Sequence, residues 1–243
     1  MITVIVNGAN GRMGSQACEA IKNDPDLELI GQIDYQDDLQ KTIETLKPQV
    51  VVDLTIASAG FANAQTILNA GARPVIGTSG FLQEQVEKLQ ALAKSKSLGG
   101  LIAPNFSVGA VLMMKFAGEA AKYMPDVEVI EAHSPQKEES PSGTGLRTAE
   151  IINAARTQAP TPTSDKELIE GARGAELEGV KLHSVRLPGV VAQQTVFFGG
   201  TGETLKIEHN SQSRESFMPG ICLACKKVVD RNELAYGLEH LLF

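Results

Sequence analysis

Short apolar runs recur along the first hundred residues and predict a regular alternation of strands and helices. Segments typical of buried strands lie at 2–6, 27–33, 50–54, 74–76 and 100–103. Helical patterns lie between them, up to about residue 23 and at 43–46, 59–70 and 83–94. Because strands and helices alternate strictly, this part of the chain is predicted to form a parallel sheet covered by helices on both faces.

The pattern changes after Pro104 and Asn105. A helix is predicted at 108–123, a strand at 127–132, and further helices at 145–156 and 217–229. Apolar and polar residues alternate between 180 and 209, which predicts antiparallel strands. We therefore expect an α/β domain made of residues 1–104 plus 215–243, the last helix returning to it. Residues 105–214 are expected to form an α+β domain with a mixed or antiparallel sheet.

Composition and charge exclude several classes of protein. Hydrophobic residues make up 42% of the 243, enough for a sizeable core, and the formal net charge is −7. This balance argues against nucleic-acid or anionic-membrane binding, which need a basic face. The chain has no apolar run long enough to span a membrane and does not begin like a signal peptide. We expect a soluble, cytoplasmic protein.

The three cysteines predict neither a disulfide framework nor a metal site. Cys222 and Cys225 have CxxC spacing, but there is no second pair to complete a metal site. We interpret them as helix-packing thiols. Since Cys18 also lies in a predicted helix, no thiol is placed to act as the nucleophile of an aldehyde dehydrogenase.

A glycine-rich turn follows the first predicted strand. Gly8, Gly11 and Gly14 have GxxGxxG spacing, and a helix begins there. Glycines allow a tight turn and close approach to a pyrophosphate, and the N-terminus of the helix favours that anion. Asp34 follows 20 residues after Gly14, at the end of the second strand, where a ribose partner is expected. The sequence thus predicts a Rossmann-like domain that binds a dinucleotide.

Two further turns lie at the carboxyl ends of predicted strands, GTSG at 77–80 and APNF at 103–106. Open α/β sheets bind their ligands at this edge. Although either could be a plain turn, together they are predicted to face the nicotinamide part of the cofactor.

The stretch EAHSPQKEESPSGTG, residues 131–145, carries candidate chemistry for the second domain. The segment 141–144 precedes a predicted helix and so offers N–H groups and hydroxyls to an anion. Lys137 supplies a positive charge, and His133 is able to exchange a proton near neutral pH. Together they suit a small carboxylate substrate, and we expect the acids of this loop to be mostly solvated. The alternative is a strand-end histidine followed by a solvated run of charges.

Several motifs resemble, in chain order, those of the 4-hydroxy-tetrahydrodipicolinate reductase (dihydrodipicolinate reductase) family. They are GANGRMG, GTSGF, APNFSVG, EAHSPQKEESPSGTG, HSVRLPG and FGGTGETLKIEHNSQSRESFMPG, and they cover nearly the whole chain. The resemblance implies an oxidoreductase of lysine and diaminopimelate biosynthesis. Such an enzyme uses NADH or NADPH to reduce a cyclic, doubly carboxylated substrate, with loss of water, to tetrahydrodipicolinate. It also implies a homotetramer joined through the sheets of the second domain.

Carried over residue by residue, the resemblance implies a role for each matching position. His133 would donate or accept the proton, and Lys137 would be catalytic or anchor the substrate. The implied cofactor-binding residues are Gly8, Ala9, Asn10, Gly11, Arg12, Met13, Asp34, Gly77, Thr78, Ser79, Ala103, Pro104, Asn105 and Phe106. The implied substrate-binding residues are Ser134, Lys137, Ser142, Gly143 and Thr144.

One position departs from the family pattern, since Ser134 stands where the family commonly has a second histidine. This difference leaves open a related protein with another small dicarboxylate substrate or a sensing role. Cofactor preference is predicted from Asp34, whose carboxylate would repel a 2′-phosphate. Arg12 is the nearest cation by sequence, and uncharged Tyr35 follows Asp34. We therefore expect NADH to be preferred and NADPH to be usable.

Overall fold

The chain, seen in a computed structural model that describes residues 1–78, 80–164 and 166–243, divides into two units. The first unit comprises Met1–Val108 and Arg214–Phe243, and the second comprises Gly109–Ser213. The second unit is therefore inserted into the first along the chain.

The strands and helices are numbered in chain order. Strands β1 to β11 are Ile2–Asn7, Leu27–Ile33, Val50–Asp53, Arg73–Ile76, Gly100–Ile102, Asp126–His133, Ala175–Leu177, Val180–Arg186, Ala192–Gly200, Glu203–Ser211 and Leu234–Tyr236. Helices α1 to α8 are Arg12–Asn23, Leu39–Leu46, Ala57–Asn69, Gln83–Ser95, Val108–Ala121, Gly143–Ala155, Met218–Val228 and Glu239–Leu242. None of the helices in these described residues is long and apolar enough to cross a membrane.

The first unit contains a six-stranded sheet in the order β11-β5-β4-β3-β1-β2, and every pair is parallel. The β-branched centres of β1 and β3 are fully buried, as expected for strands covered on both faces. Helices α2, α3 and α4 pack together on one side, whereas α1 and α7 pack against each other and the sheet. The predicted Rossmann-like parallel sheet is confirmed.

The second unit contains a five-stranded mixed sheet in the order β10-β9-β6-β8-β7. Strand β8 runs parallel to β6, and the other pairs are antiparallel. The mixed sheet predicted as one option is confirmed. Strands β8, β9 and β10, predicted to be antiparallel, each have an antiparallel neighbour, and β8 in addition pairs in parallel with β6. A parallel neighbour needs a long crossover connection, which α6 and the segment after it provide.

The two faces of this mixed sheet differ. Helix α6 packs against β6, β7 and β8, on the face that buries Val129 and Leu182. On the opposite face Ile130 and Phe197 are 37% and 40% exposed. This face therefore carries apolar side chains that the described part of the chain leaves partly in contact with solvent.

The CxxC cysteines lie in α7 and are buried, as is Cys18 in α1. Burial raises the pKa of the Cys222 thiol to about 11 and raises that of Cys225 as well. Thiols in this environment stay protonated, in keeping with their interpretation as packing residues.

Candidate active site

The glycine-rich turn is tight because its backbone segments touch. Gly8 has a positive φ of 82°, and a side chain there would lie 2.9 Å from the carbonyl oxygen of Leu54. A Cβ at Gly14 would lie 2.0 Å from the carbonyl oxygen of Gly8. Gly11 is the N-cap of α1 and has no side chain to cap its first turn. The backbone N–H groups at this helix end are therefore suited to hold a pyrophosphate.

Asp34, at the end of β2, is connected directly to this turn. Its carboxylate accepts hydrogen bonds from the backbone N–H groups of Asn10, at 3.0 Å, and Tyr35, at 2.9 Å. The bond from Tyr35 and then that from Asn10 lower the pKa of the Asp34 carboxyl. An ionised acceptor thus lies beside the glycine turn, which fits a ribose that carries free hydroxyls.

The two other predicted turns follow the neighbouring strands β4 and β5. A Cβ at Gly77 would lie 2.9 Å from the ring of Phe106, so these turns are close together. Thr78 and Ala103 are buried, and the N–H of Ala103 donates to the carbonyl of Ile76 at 2.9 Å.

The remaining cofactor-binding predictions are placed as follows. Asn10, Arg12 and Pro104 are exposed, Ala9 is buried, and Met13 and Asn105 are half-buried. The side chain of Asn105 accepts from the N–H of Ser107 at 2.8 Å. Ser79 lies outside the described residues.

In the second unit, His133 is held by a buried glutamate. Residues two apart on a strand share a face, and on β6 the Nδ1 of His133 lies 2.5 Å from the Oε2 of Glu131. The side chain of Glu131 is fully buried and that of His133 is 16% exposed. One ring nitrogen of the predicted proton donor is therefore occupied by a carboxylate inside the protein.

Arg186, on the neighbouring strand β8, makes a bidentate pair with the same carboxylate. Its Nη1 lies 3.1 Å from Oε2 of Glu131 and its Nη2 lies 3.0 Å from Oε1. Burial raises the pKa of Glu131, but hydrogen bonds from His133, Arg186 and Ser184 outweigh this effect and lower it to about 2. Glu131 is thus ionised throughout the physiological range. The expectation that the acids of this loop are mostly solvated is wrong for Glu131, which is buried in the sheet.

The start of α6 lies against the same carboxylate. Ser142 is the N-cap, and its side chain accepts from the N–H of Gly145 at 3.1 Å. The backbone N–H of Ser142 donates to the Oε1 of Glu131 at 3.3 Å. Gly143 is exposed and a Cβ there would meet nothing within 4 Å, while Thr144 is half-buried. The backbone at this helix end therefore has room for an anion in front of it.

Lys137 lies in the loop between β6 and α6. Its Nζ is 2.5 Å from Oε2 of Glu139, a carboxylate that is 76% exposed. Its backbone N–H donates to the carbonyl of Ser134 at 3.1 Å, which closes a turn. Because an exposed ion pair is weakly held, Lys137 can exchange Glu139 for the carboxylate of a ligand.

All predicted cofactor residues that are described lie in the first unit, and all predicted substrate residues lie in the second. Sequence reasoning missed Glu131 and Arg186, which hold the site together. A signal was present in the E-x-H spacing, which places a glutamate and a histidine on one face of a predicted strand. Arg186 belongs to the motif HSVRLPG but had no assigned role.

Both halves of the chain match family models of the same name. The family model described as "Dihydrodipicolinate reductase, N-terminus" matches residues 2–106, and "Dihydrodipicolinate reductase, C-terminus" matches residues 109–242. A protein of Legionella pneumophila (strain Philadelphia 1) named 4-hydroxy-tetrahydrodipicolinate reductase is 52% identical over 239 residues, 98% of each chain. One of the same name from Coxiella burnetii (strain Dugway 5J108-111) is 49% identical over 241 residues, 99% of each chain.

A solved structure supports the same family. The dipicolinate-bound dihydrodipicolinate reductase of Paenisporosarcina sp. TG-14 is 40% identical, with a TM-score of 0.90 over 99% of each chain. Both halves of the chain thus match the same family in sequence, and the whole chain matches it in fold. This chain belongs to the dihydrodipicolinate reductase family.

Proposed function

We propose that this chain reduces 4-hydroxy-tetrahydrodipicolinate to tetrahydrodipicolinate, with loss of water, in lysine and diaminopimelate biosynthesis. The observation that carries the proposal is the pairing of His133 with buried Glu131, beside the N-terminus of α6. In a member of this family, that arrangement supplies a proton donor next to an anion cradle.

The proposed substrate carries two carboxylates, and the second unit offers complementary groups. The N–H groups of Gly143 and Thr144 begin α6, where the helix dipole favours an anion. Lys137 adds a cation, and the hydroxyl of Ser134 is a further polar group in the same loop. The solved structure cited above is named as a complex with dipicolinate, a planar dicarboxylate, which supports this class of ligand.

The first unit fits a nicotinamide dinucleotide. A Cβ at Gly14 would fill the turn, and ionised Asp34 lies beside it. When bound, the reduced nicotinamide supplies the hydride. Reduction places negative charge on the substrate, which Lys137 and the N–H groups of α6 would stabilise. His133 would then deliver the proton that completes the reduction.

NADH is the proposed preferred cofactor, with NADPH usable. The support is the position of the Asp34 carboxylate, which two backbone N–H groups hold beside the turn. A 2′-phosphate in this place would meet a negative charge, and exposed Arg12 is the cation that could offset it.

The proposed assembly is a homotetramer in the cytoplasm. Ile130 and Phe197 on the uncovered face of the mixed sheet support association through that face. Three buried free cysteines fit a reducing compartment.

Substitution of the two proposed catalytic residues tests the function. His133→Gln and Lys137→Met should each lower kcat by about 10²–10⁴, the usual worth of a positioned proton donor or charge stabiliser. The dissociation constant for NADH should barely change, because both residues lie in the second unit. The measurement is NADH oxidation with freshly generated substrate, followed by absorbance.

Two results would contradict the proposal. Wild-type protein that binds NADH but shows no turnover would favour a sensing role. Activity within threefold of wild type in both variants would remove His133 and Lys137 from the site.

A further inference from the structure

The two oxygens of Glu131 contact different parts of the proposed site. Oε2 is 2.5 Å from Nδ1 of His133, whereas Oε1 accepts the backbone N–H of Ser142 at 3.3 Å. One carboxylate therefore bonds both to the proposed proton donor and to the N-cap of the helix that would hold the substrate. A displacement of this group would disturb both at once.

Arg186 compensates the charge of the buried Glu131 carboxylate and fixes the orientation of its plane. A fully buried carboxylate without a partner would be strongly destabilising. Arg186 pairs with both oxygens, and its Nη2 also donates to the carbonyl of Glu139 at 2.7 Å and to the hydroxyl of Ser140 at 2.9 Å. Through these hydrogen bonds the Arg186 guanidinium connects β8 to the loop that carries Lys137.

We infer that Glu131 is a positioning residue for the proposed proton transfer, acting through His133, and that Arg186 holds Glu131 in place. The inference rests on the proposed function and adds a residue to it. With Nδ1 bound to Glu131, the ring cannot rotate, and Nε2 is the nitrogen left for the substrate.

On the side of the mixed sheet that carries His133, and in the loop after β6, titratable groups come from several elements. By element they are Glu131 on β6, Arg186 on β8, His209 on β10, and Lys137 and Glu139 in the loop after β6. Burial lowers the pKa of His209, so this residue adds no charge at neutral pH. Lys137 and Glu139 pair with each other. From α5 and α6, uncharged Met113 and Thr148 contact Gln194, the neighbour of Glu131 on β9. Glu131 is therefore the negative charge nearest to the ring.

Glu131→Gln tests the inference because the amide has nearly the same shape without the charge. We expect kcat to fall about 10- to 100-fold, a part of the full value of a general acid. The alkaline limb of the pH–kcat profile should move towards acid, because the carboxylate in contact with the His133 ring is replaced by an uncharged amide next to the Arg186 guanidinium. A merely structural role would lower the yield of folded protein but would leave this limb in place.

Two variants serve as controls. Ser184→Ala removes an uncharged hydrogen-bond donor to the Glu131 carboxylate, so the alkaline limb of the pH–kcat profile should stay at its wild-type pH. Glu131→Asp keeps the charge on a shorter side chain, so it should retain the limb while lowering kcat. The inference would be overturned if the alkaline limb of the pH–kcat profile did not move in Glu131→Gln while His133→Gln lost activity. The proposed function would not be affected by that result. Full activity in His133→Gln would overturn both.

A measurement on the wild-type protein tests the inference even if the Glu131→Gln variant does not fold. The chain has four histidines, so a ¹⁵N-histidine spectrum is simple, and His133→Gln identifies the signal of interest. We expect His133 to carry a slowly exchanging proton on Nδ1, shifted downfield. A ring protonated on Nε2 alone at neutral pH would overturn the inference.

Discussion

At the scale of single residues, Asp34 is the side chain on which the proposed cofactor preference rests. Two backbone N–H groups hold its carboxylate and lower its pKa, so it is negative at any working pH. Of its chain neighbours, Tyr35 and Gln36 are uncharged and Asp37 is acidic, and the backbone N–H of Asp34 itself donates to Asp37. The local field therefore disfavours a 2′-phosphate, with exposed Arg12 in opposition.

We predict that kcat/KM is roughly tenfold higher with NADH than with NADPH at moderate ionic strength. Asp34→Asn should narrow or reverse this ratio by improving NADPH. Glu44→Gln, which removes one exposed acid from α2, is the matched control and should leave the ratio unchanged. A wild-type preference for NADPH would mean that Arg12 determines the choice.

Asp34 and Glu131 also show how far residue-level prediction extends. The position of Asp34 beside the glycine turn could be predicted from its distance along the chain, because both belong to one βαβ unit. Glu131 was expected to be solvated, since its loop is rich in charge. Its partner Arg186 is 55 residues away, and a contact at that separation depends on strand pairing that local sequence does not encode.

At the scale of elements, the entry to α1 depends on the absence of a side chain at Gly14. A Cβ there would lie 2.0 Å from a backbone oxygen, and backbone cannot rotate aside as a side chain can. The glycine-rich turn and the first helical turn of α1 must therefore move apart to accommodate a Cβ at position 14.

Gly14→Ala should reduce the free energy of unfolding by about 1–3 kcal/mol, the usual cost of overpacking. The dissociation constant for NADH should rise at least roughly tenfold, because the helix end moves away from the pyrophosphate. Gly199→Ala in β9 is the control, since its Cβ would meet only ordinary contact at 4.0 Å. Thermal unfolding and fluorescence titration measure the two effects, and equal behaviour of the two variants would contradict the prediction.

Elements with strong periodicity were predicted well, whereas those fixed by distant partners were not. The buried strands of the first sheet and helix α4 lie within a residue or two of their predicted bounds. Strand β11 has only three residues. It is a strand because it pairs with β5, which lies more than 130 positions earlier in the chain. Strand β7 is equally short and depends on the turn at Glu178 and Gly179, both with positive φ. Helix α6 begins at Gly143, two residues early, because Ser142 caps it.

At the scale of the whole molecule, the uncovered face of the mixed sheet predicts association. Phe197 is 40% exposed on that face, with the Nζ of Lys206 lying 5.7 Å from its ring centre. A partly apolar sheet face of this kind is stabilised when a second copy covers it.

Sedimentation at micromolar concentration should give the mass of a tetramer. Phe197→Glu should shift the protein to smaller species, because a carboxylate in the interface would lose its water. Tyr123→Glu changes a residue that is 85% exposed at the end of α5 and should not alter assembly. A wild-type monomer would refute the prediction.

The insertion of one unit into the other has a consequence for the nascent chain. Helix α7 packs on the first sheet and β11 completes its edge, yet both are synthesised after the whole second unit. Until then the edge of β5 and the part of the first sheet that α7 covers are exposed, and unpaired edges of apolar sheets promote aggregation. The second unit is continuous along the chain and its residues are all made earlier. The first unit is thus completed only after the second, when residues 214–243 have left the ribosome and can pack on the first sheet.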